Sequence, residues 1–379
     1  MDNKKLIGHS LKVKDVASWK KRRIALRRIL WNLLTGGYIN RPVNPKYEVV
    51  AKGADAARMI QKSRERYLKA FPNDFKLYPT LNYKWNEPVT WDTFIISYPG
   101  WLGEPSQQAI LRVPRNLSKP VPAVLCFHGH STGCLYGKAE MDYLALPLTA
   151  KGYITLCPDA VRFGERRDTT YEKAEIDDFK GMAFYSERNL AMPLLFRGQT
   201  LLGVITWEHM IAVDILRSMD SVDAKRIGTL GMSMGGMQSF WLAAMDDRIA
   251  CGVESCGISS YETWAKQRTL NALVNFIPHI LKYTDCGEIG GLIAPRPFMC
   301  LDAAQDAFFP LKGINETHRM MSFCYNLYDA STSFKKDVHK GGHLFADKHI
   351  EFALGWLDKW LKVDKSESVE IGKARLSKH

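Results

Sequence analysis

RIGTLGMSMGGMQSFW, residues Arg226 to Trp241, decides how this chain is read. A short apolar run from Ile227 to Leu230 gives way to Gly231-Met232-Ser233-Met234-Gly235 and then to a helix-like stretch. Strand, Gly-x-Ser-x-Gly and helix, in that order, form the context of a nucleophile elbow. The turn is so sharp that side chains two positions either side of the serine would meet neighbouring backbone. Glycine at Gly231 and Gly235 removes them and leaves Ser233 projecting above the sheet. The helix that follows aims its positive end and its free N–H groups at the same place. The pentapeptide alone is a weak signal. Its flanks make it specific.

Around this elbow the chain alternates between two patterns. PAVLCFHGH, YITLCPDA, RIGTLGMS, CGVESCG and RPFMCLDA are short apolar runs without strict alternation, as buried parallel strands require. Between them lie the helical patterns KAEMDYLALPLTAKG, TLLGVITWEHMIAVDILRSM and GMQSFWLAAMDD, and FADKHIEFALGWLDKWLK closes the series. Strand and helix in turn predict a doubly wound, mostly parallel α/β sheet. NEPVTWDTFIISYPG and SQQAILRVPRN precede it as strands of a meander. Three regions are expected: a helical arm over 1–84 packed on the core, an α/β domain over 85–362, and a polar tail over 363–379. Two stretches, about 163–199 and 258–293, each follow the carboxyl end of a strand. Ligands bind at that edge of an open α/β sheet, so these stretches are the expected lid and specificity loops.

Bulk composition excludes several classes. The 379 residues carry a formal charge of +12, with 46% hydrophobic and 24% charged residues, as in a soluble globular protein. No run approaches the ~18 apolar residues of a membrane span, and MDNKKLIGHSLKVKD lacks a secretory core. A cytoplasmic protein is the expectation. The eight cysteines form no C-x-x-C pair, and Cys126, Cys157 and Cys300 sit in apolar runs as small hydrophobes. Much of the positive charge lies in SWKKRRIALRRILWNLL, Ser18 to Leu34, which holds six basic residues and no acid. Trp19, Leu26, Ile29, Leu30 and Leu33 recur there at helical spacing. A single apolar stripe most simply faces a core, with membrane or polyanion binding as the competing reading. No nucleic-acid motif accompanies it, so no nucleic-acid partner is expected. A homo-oligomer is compatible with the sequence.

A serine hydroxyl needs a base, and the base an orienting acid, in the chain order Ser, acid, His. APRPFMCLDAAQDAFFP ends a strand and offers Asp302 and Asp306. Asp306 stands in the loop, free to reach a neighbouring histidine, and is preferred, with Asp302 as the fallback. DVHKGGHLFADKHIEF offers three histidines. His339 is expected at a strand end and His349 on the surface of the final helix. His343, after Gly341-Gly342, is expected on a loop tip over the serine. Two backbone N–H groups are assigned to the oxyanion: Met234, next to the nucleophile, and His130, in the loop after LCFHGH. His128 is expected to brace that loop through its ring. His128-Gly129-His130 has no third ligand at helpful spacing, so neither metal nor cofactor is expected.

With these residues in place the chain resembles an α/β-hydrolase. The similarity is to the branch holding acetyl-xylan-esterase-like and dienelactone-hydrolase-like proteins. It runs from about Trp85 to Leu361 through FHGH, PDAVRFGERRD, VDAKRIGTLGMSMGG, FIPHILKY, LIAPRPF and GGH. The resemblance implies an α/β-hydrolase fold with Ser233, Asp306 and His343 as nucleophile, acid and base. Dienelactone hydrolases proper carry cysteine at the elbow, so their reaction is not expected here. In PDAVRFGERRD, Asp159, Arg162, Glu165 and Arg166 are expected to form a structural salt-bridge cluster. The implied activity is serine carboxylic-ester hydrolysis, removing a small, acetyl-like acyl group from a carbohydrate or other small ester. A serine peptidase, a C–C or lactone hydrolase, and a non-catalytic binding protein on the same fold are the alternatives.

Overall fold

In the computed structural model, residues 13–38, 42–70, 90–101, 106–130, 137–166, 179–267 and 272–362 are described. The expected tail over 363–379 lies outside them. Nine strands form one sheet: β1 Glu48–Lys52, β2 Trp91–Tyr98, β3 Gln107–Pro114, β4 Val121–Phe127, β5 Ile154–Pro158, β6 Val222–Met232, β7 Ile249–Ser255, β8 Phe298–Ala303 and β9 Phe334–His339. Their order is β1-β2-β3-β5-β4-β6-β7-β8-β9. β1, β2, β3 and β5 pair antiparallel, and every pair from β5 through β4 to β9 is parallel. The sheet is therefore the expected mostly parallel one, with an antiparallel wing.

The longer helices are α1 Val16–Thr35, α2 Gly53–Ala70, α3 Asp142–Ala150, α4 Phe179–Phe196, α5 Leu201–Arg217, α6 Met234–Met245, α7 Leu311–Leu327 and α8 Asp347–Leu357. They cover both faces of the sheet. Along β4, Ala123, Leu125 and Phe127 point into one core, and Val124 and Cys126 into the other. Strand residues buried on both sides explain why these segments read as unbroken apolar runs. β1 and α7 were not anticipated. The EVVAK of β1 is exposed over most of its length and carries no burial pattern to find.

The chain runs outward from β4 to β5 and then crosses back to β6. The order reverses at β4, and a crevice opens above such a reversal. Register does the rest. Phe127 pairs with Gly231, Met232 with Ser255, and Ser255 with Leu301, so the carboxyl ends of β4, β6, β7 and β8 lie side by side.

The basic helix α1 docks on the body. Asp15 caps it, accepting from the Ser18 N–H at 2.7 Å in a capping box, and Gly36 ends it at φ 63°. Trp19, Leu26, Leu30 and Leu34 are buried. Ile29 and Leu33 are only partly so, and the stripe lies one residue round from the expected one. The arginines are engaged rather than free. Arg22 donates to both oxygens of Glu288 at 2.8 and 2.9 Å, and Arg23 and Arg27 converge on Asp247. Close approach fixes the helix end: a side chain at Gly203 on α5 would stand 2.0 Å from the Leu34 carbonyl oxygen. Among the described residues no helix is long and apolar enough to cross a membrane.

Candidate active site

Ser233 sits between β6 and α6 with φ 59° and ψ −123°. A non-glycine residue held there costs about 1–3 kcal/mol and persists only where its surroundings over-determine it. They do so here. The Ser233 N–H donates to the Ser255 carbonyl at 2.7 Å, and its own carbonyl accepts from the Met237 N–H at 3.0 Å. A side chain at Gly231 would stand 2.2 Å from the Gly235 oxygen, and one at Gly235 1.8 Å from the Phe127 oxygen. Both glycines are therefore required by backbone on either side. Met234 opens α6, so its N–H has no intrahelical acceptor.

His343 follows the turn after β9, which is shaped by the Gly341 N–H donating to His339 Nδ1 at 2.8 Å. His343 Nε2 lies 2.8 Å from Ser233 Oγ, and Nδ1 lies 2.7 Å from Asp306 Oδ2. The Asp306 side chain is fully buried, and its second oxygen accepts from the Phe308 and Phe309 N–H groups at 2.8 and 3.1 Å. A carboxylate only accepts, so the imidazole proton belongs on Nδ1 and Nε2 is left to accept from the serine hydroxyl. Phe309 stacks on the imidazole at 5.7 Å and 7°, and Phe308 meets it edge-on at 5.1 Å. The structure thus brings Ser233, His343 and Asp306 into one hydrogen-bonded chain at the carboxyl edge of the sheet. Such a chain can deliver a hydroxyl to a carbonyl carbon while moving its proton to the imidazole.

The other candidates fall elsewhere. Asp302, the fallback acid, faces His318 at 2.9 Å instead. His349 is not a surface residue. It is fully buried, 2.9 Å from Asp337 Oδ2, and burial lowers its pKa. The reason is helical phase: 349, 353 and 357 share the face that α8 lays on the sheet. His128 is fully buried, and desolvation brings its pKa down to about 4. Its ring donates from Nδ1 to the Gly129 carbonyl and accepts at Nε2 from the Ala160 N–H, both at 2.9 Å. That ties the loop after β4 to the loop after β5. His209 and Gln238 continue the brace, with Gln238 donating to the His128 carbonyl at 3.4 Å.

Gly129 approaches the serine so closely that a side chain on it would stand 3.3 Å from Ser233 Cβ. The next residue, His130, is thereby beside the elbow, and its ring Nε2 is 2.7 Å from Glu187 Oε1 on α4. Glu187 was missed, because nothing in an insertion helix marks one glutamate from another. Cys256 was missed as well. Its sulfur and single donor atoms of Asp306 and His343 lie within 4.8 Å of one another. Both ring nitrogens of His343 are already engaged, by Asp306 and Ser233, so this group serves the chain rather than a metal ion. The expected salt-bridge cluster exists with a different centre. Lys138, unremarked in the sequence, pairs with Asp159 and Glu165, while Arg166 pairs with Glu208 at 2.6 Å.

Residues 76–258 match the family profile of Acetyl xylan esterase (AXE1). YtaP of Bacillus subtilis (strain 168), provisionally named a hydrolase, is 32% identical over 259 residues, covering 65% of this chain and 81% of YtaP. The chain belongs to the acetyl xylan esterase family. It is a carboxylic-ester hydrolase with the serine α/β-hydrolase fold. Solved structures agree on the fold. A glucuronoyl esterase from Solibacter usitatus superposes with a TM-score of 0.61 at 17% identity, covering 91% of this chain and 94% of its own. A CE15 glucuronoyl esterase from Teredinibacter turnerae T7901 gives 0.59 at 14% identity, covering 92% and 86%.

Proposed function

We propose that this esterase works through an acyl-enzyme on Ser233 and removes a small, acetyl-like acyl group from a carbohydrate or similar polyol. The observation that carries the proposal is the unbroken chain Ser233 Oγ–His343–Asp306, at 2.8 and 2.7 Å on a strained elbow. His343 accepts the serine proton as Oγ attacks the ester carbonyl, and returns it to the departing alcohol. Asp306 holds the imidazole in the required tautomer and faces the positive charge that develops on it. The N–H groups of Met234 and His130 receive the oxyanion, each worth about 3 kcal/mol in comparable sites. Water, activated by the same imidazole, then releases the acid.

The carbohydrate part rests on the family and on the solved esterases that share the fold. Acetylated xylo-oligosaccharides, methyl glucuronate esters, simple lactones and aminoacyl amides test it side by side. Turnover of the acetylated sugars, lost by about 10⁴-fold or more in Ser233→Ala, is the expected result. Turnover confined to amides would replace the proposal with a peptidase.

A further inference from the structure

Behind the loop that carries Asp306, on the face of the sheet covered by α7, four chemistry-bearing side chains meet in the core. Glu254 stands near the end of β7 and pairs with Cys300 on β8. Asp302 lies two residues beyond Cys300 on the same face, and His318 comes from α7. Glu254, Cys300 and Asp302 are fully buried, and His318 is 1% exposed. None of them belongs to the Ser233–His343–Asp306 chain.

Their donor atoms converge. One carboxylate oxygen of Glu254, the Cys300 sulfur and one ring nitrogen of His318 lie within 4.8 Å of one another. Donors around one tetrahedral zinc ion, at bonds of about 2.0–2.3 Å, stand roughly 3.3–3.6 Å apart. Small side-chain shifts bridge that difference.

The polar atoms are also left over. Glu254 Oε1 and Asp302 Oδ1 are buried without a hydrogen-bond partner. Asp302 Oδ2 stands 2.9 Å from His318 Nε2, an ion pair when the ring is protonated. Glu254 Oε2 accepts from the Gly257 N–H at 3.0 Å. Among the described residues neither carboxylate is paired with lysine or arginine. Two buried carboxylates with no lysine or arginine beside them are a costly arrangement, and a divalent ion removes the cost.

We propose that Glu254, Cys300 and His318, completed by Asp302, form a structural zinc site tying β7, β8 and α7 together behind the acid loop. Sulfur and imidazole donors select zinc over magnesium or calcium, which take oxygen. Three converging donors, with Asp302 beside His318 as the fourth, would leave no open position, as in structural rather than catalytic sites. Binding releases the Cys300 proton, so uptake strengthens as pH rises.

The test uses the full chain without a histidine tag, purified free of chelator. Elemental analysis is expected to find close to one zinc per chain, and Cys300→Ser to lose most of it. Thorough chelation should lower Tm of the parent by several degrees, with zinc restoring it. If Cys300→Ser fails to fold, cobalt exchange into the parent gives the second readout, a thiolate-to-cobalt charge-transfer band in the near ultraviolet. A folded parent that holds no stoichiometric metal, takes up no zinc against a chelating dye and shows no such band overturns the proposal. The four groups would then be a proton-sharing network.

Discussion

Replacing Asp306 with asparagine changes one atom and should disable the enzyme without unfolding it. Asp306 Oδ1 accepts from the Phe308 and Phe309 N–H groups at 2.8 and 3.1 Å. An asparagine in the same rotamer has to keep its carbonyl oxygen on those two donors, since turning the amide round would set NH₂ against both. Its NH₂ therefore faces His343 Nδ1, where the carboxylate oxygen stood at 2.7 Å. Nδ1 becomes the acceptor and the imidazole proton moves to Nε2, against Ser233 Oγ. A protonated Nε2 cannot take the serine proton. A wrong tautomer of this kind lowers kcat about 10⁴-fold, or about 5 kcal/mol of transition-state stabilisation. KM should change little, because the substrate touches neither atom. Steady-state hydrolysis of p-nitrophenyl acetate measures both constants, and a thermal melt checks the fold. An asparagine variant that folds and keeps kcat within tenfold of the parent would rule out this role for Asp306.

Four further expectations follow from particular contacts. Gly235→Ala places Cβ 1.8 Å from the Phe127 oxygen; it should cost about 3 kcal/mol or more in denaturant unfolding, and a midpoint equal to the parent's would show the elbow is looser than described. His349→Ala should lower stability yet leave kcat within a few-fold, whereas His343→Ala abolishes turnover; equal loss of kcat in both would mean the two histidines act together. On the basic helix, Trp19→Ala should cost about 3–5 kcal/mol and Arg27→Ala about 1 kcal/mol or less, both read by denaturant unfolding; the reverse order would make charge, not the buried stripe, the anchor. The same pairing predicts an acid response. Partial burial raises the Asp247 pKa, but the bonds from Arg27 more than offset this and bring it to about 2 against an ordinary 3.8. A depressed carboxylate pKa contributes stability that is complete above the unfolded value and is lost as pH falls through the folded one. Asp247→Asn should therefore flatten the acid limb of stability between about pH 4 and pH 2.

Much of the site was legible because local sequence dictates it. The elbow needs glycine at two fixed positions, and Asp306 and His343 each stand in short loops directly after strands. The parallel strands were legible for a related reason, since burial on both faces leaves a run of apolar residues. What was not legible depends on contacts between distant segments. Whether His349 is buried is set by the phase of α8 against the sheet, and the stripe of α1 shifted by one position for the same reason. Glu187, Cys256 and Lys138 acquire their neighbours only when insertion, strand end and loop are brought together. Glu254, Cys300, Asp302 and His318 come from two strands and a helix with no shared spacing, so a search for local metal motifs passes over them.

In the proposed mechanism the acyl group is carried on Ser233. Mixing the enzyme with p-nitrophenyl acetate, quenching in acid within the first turnover and mapping the mass of each peptide tests it directly. One acetyl group per chain is expected, on the peptide holding Ser233, appearing with the burst of nitrophenol and absent from Ser233→Ala. Full turnover with no acetyl on Ser233, or with the acetyl elsewhere, would contradict it.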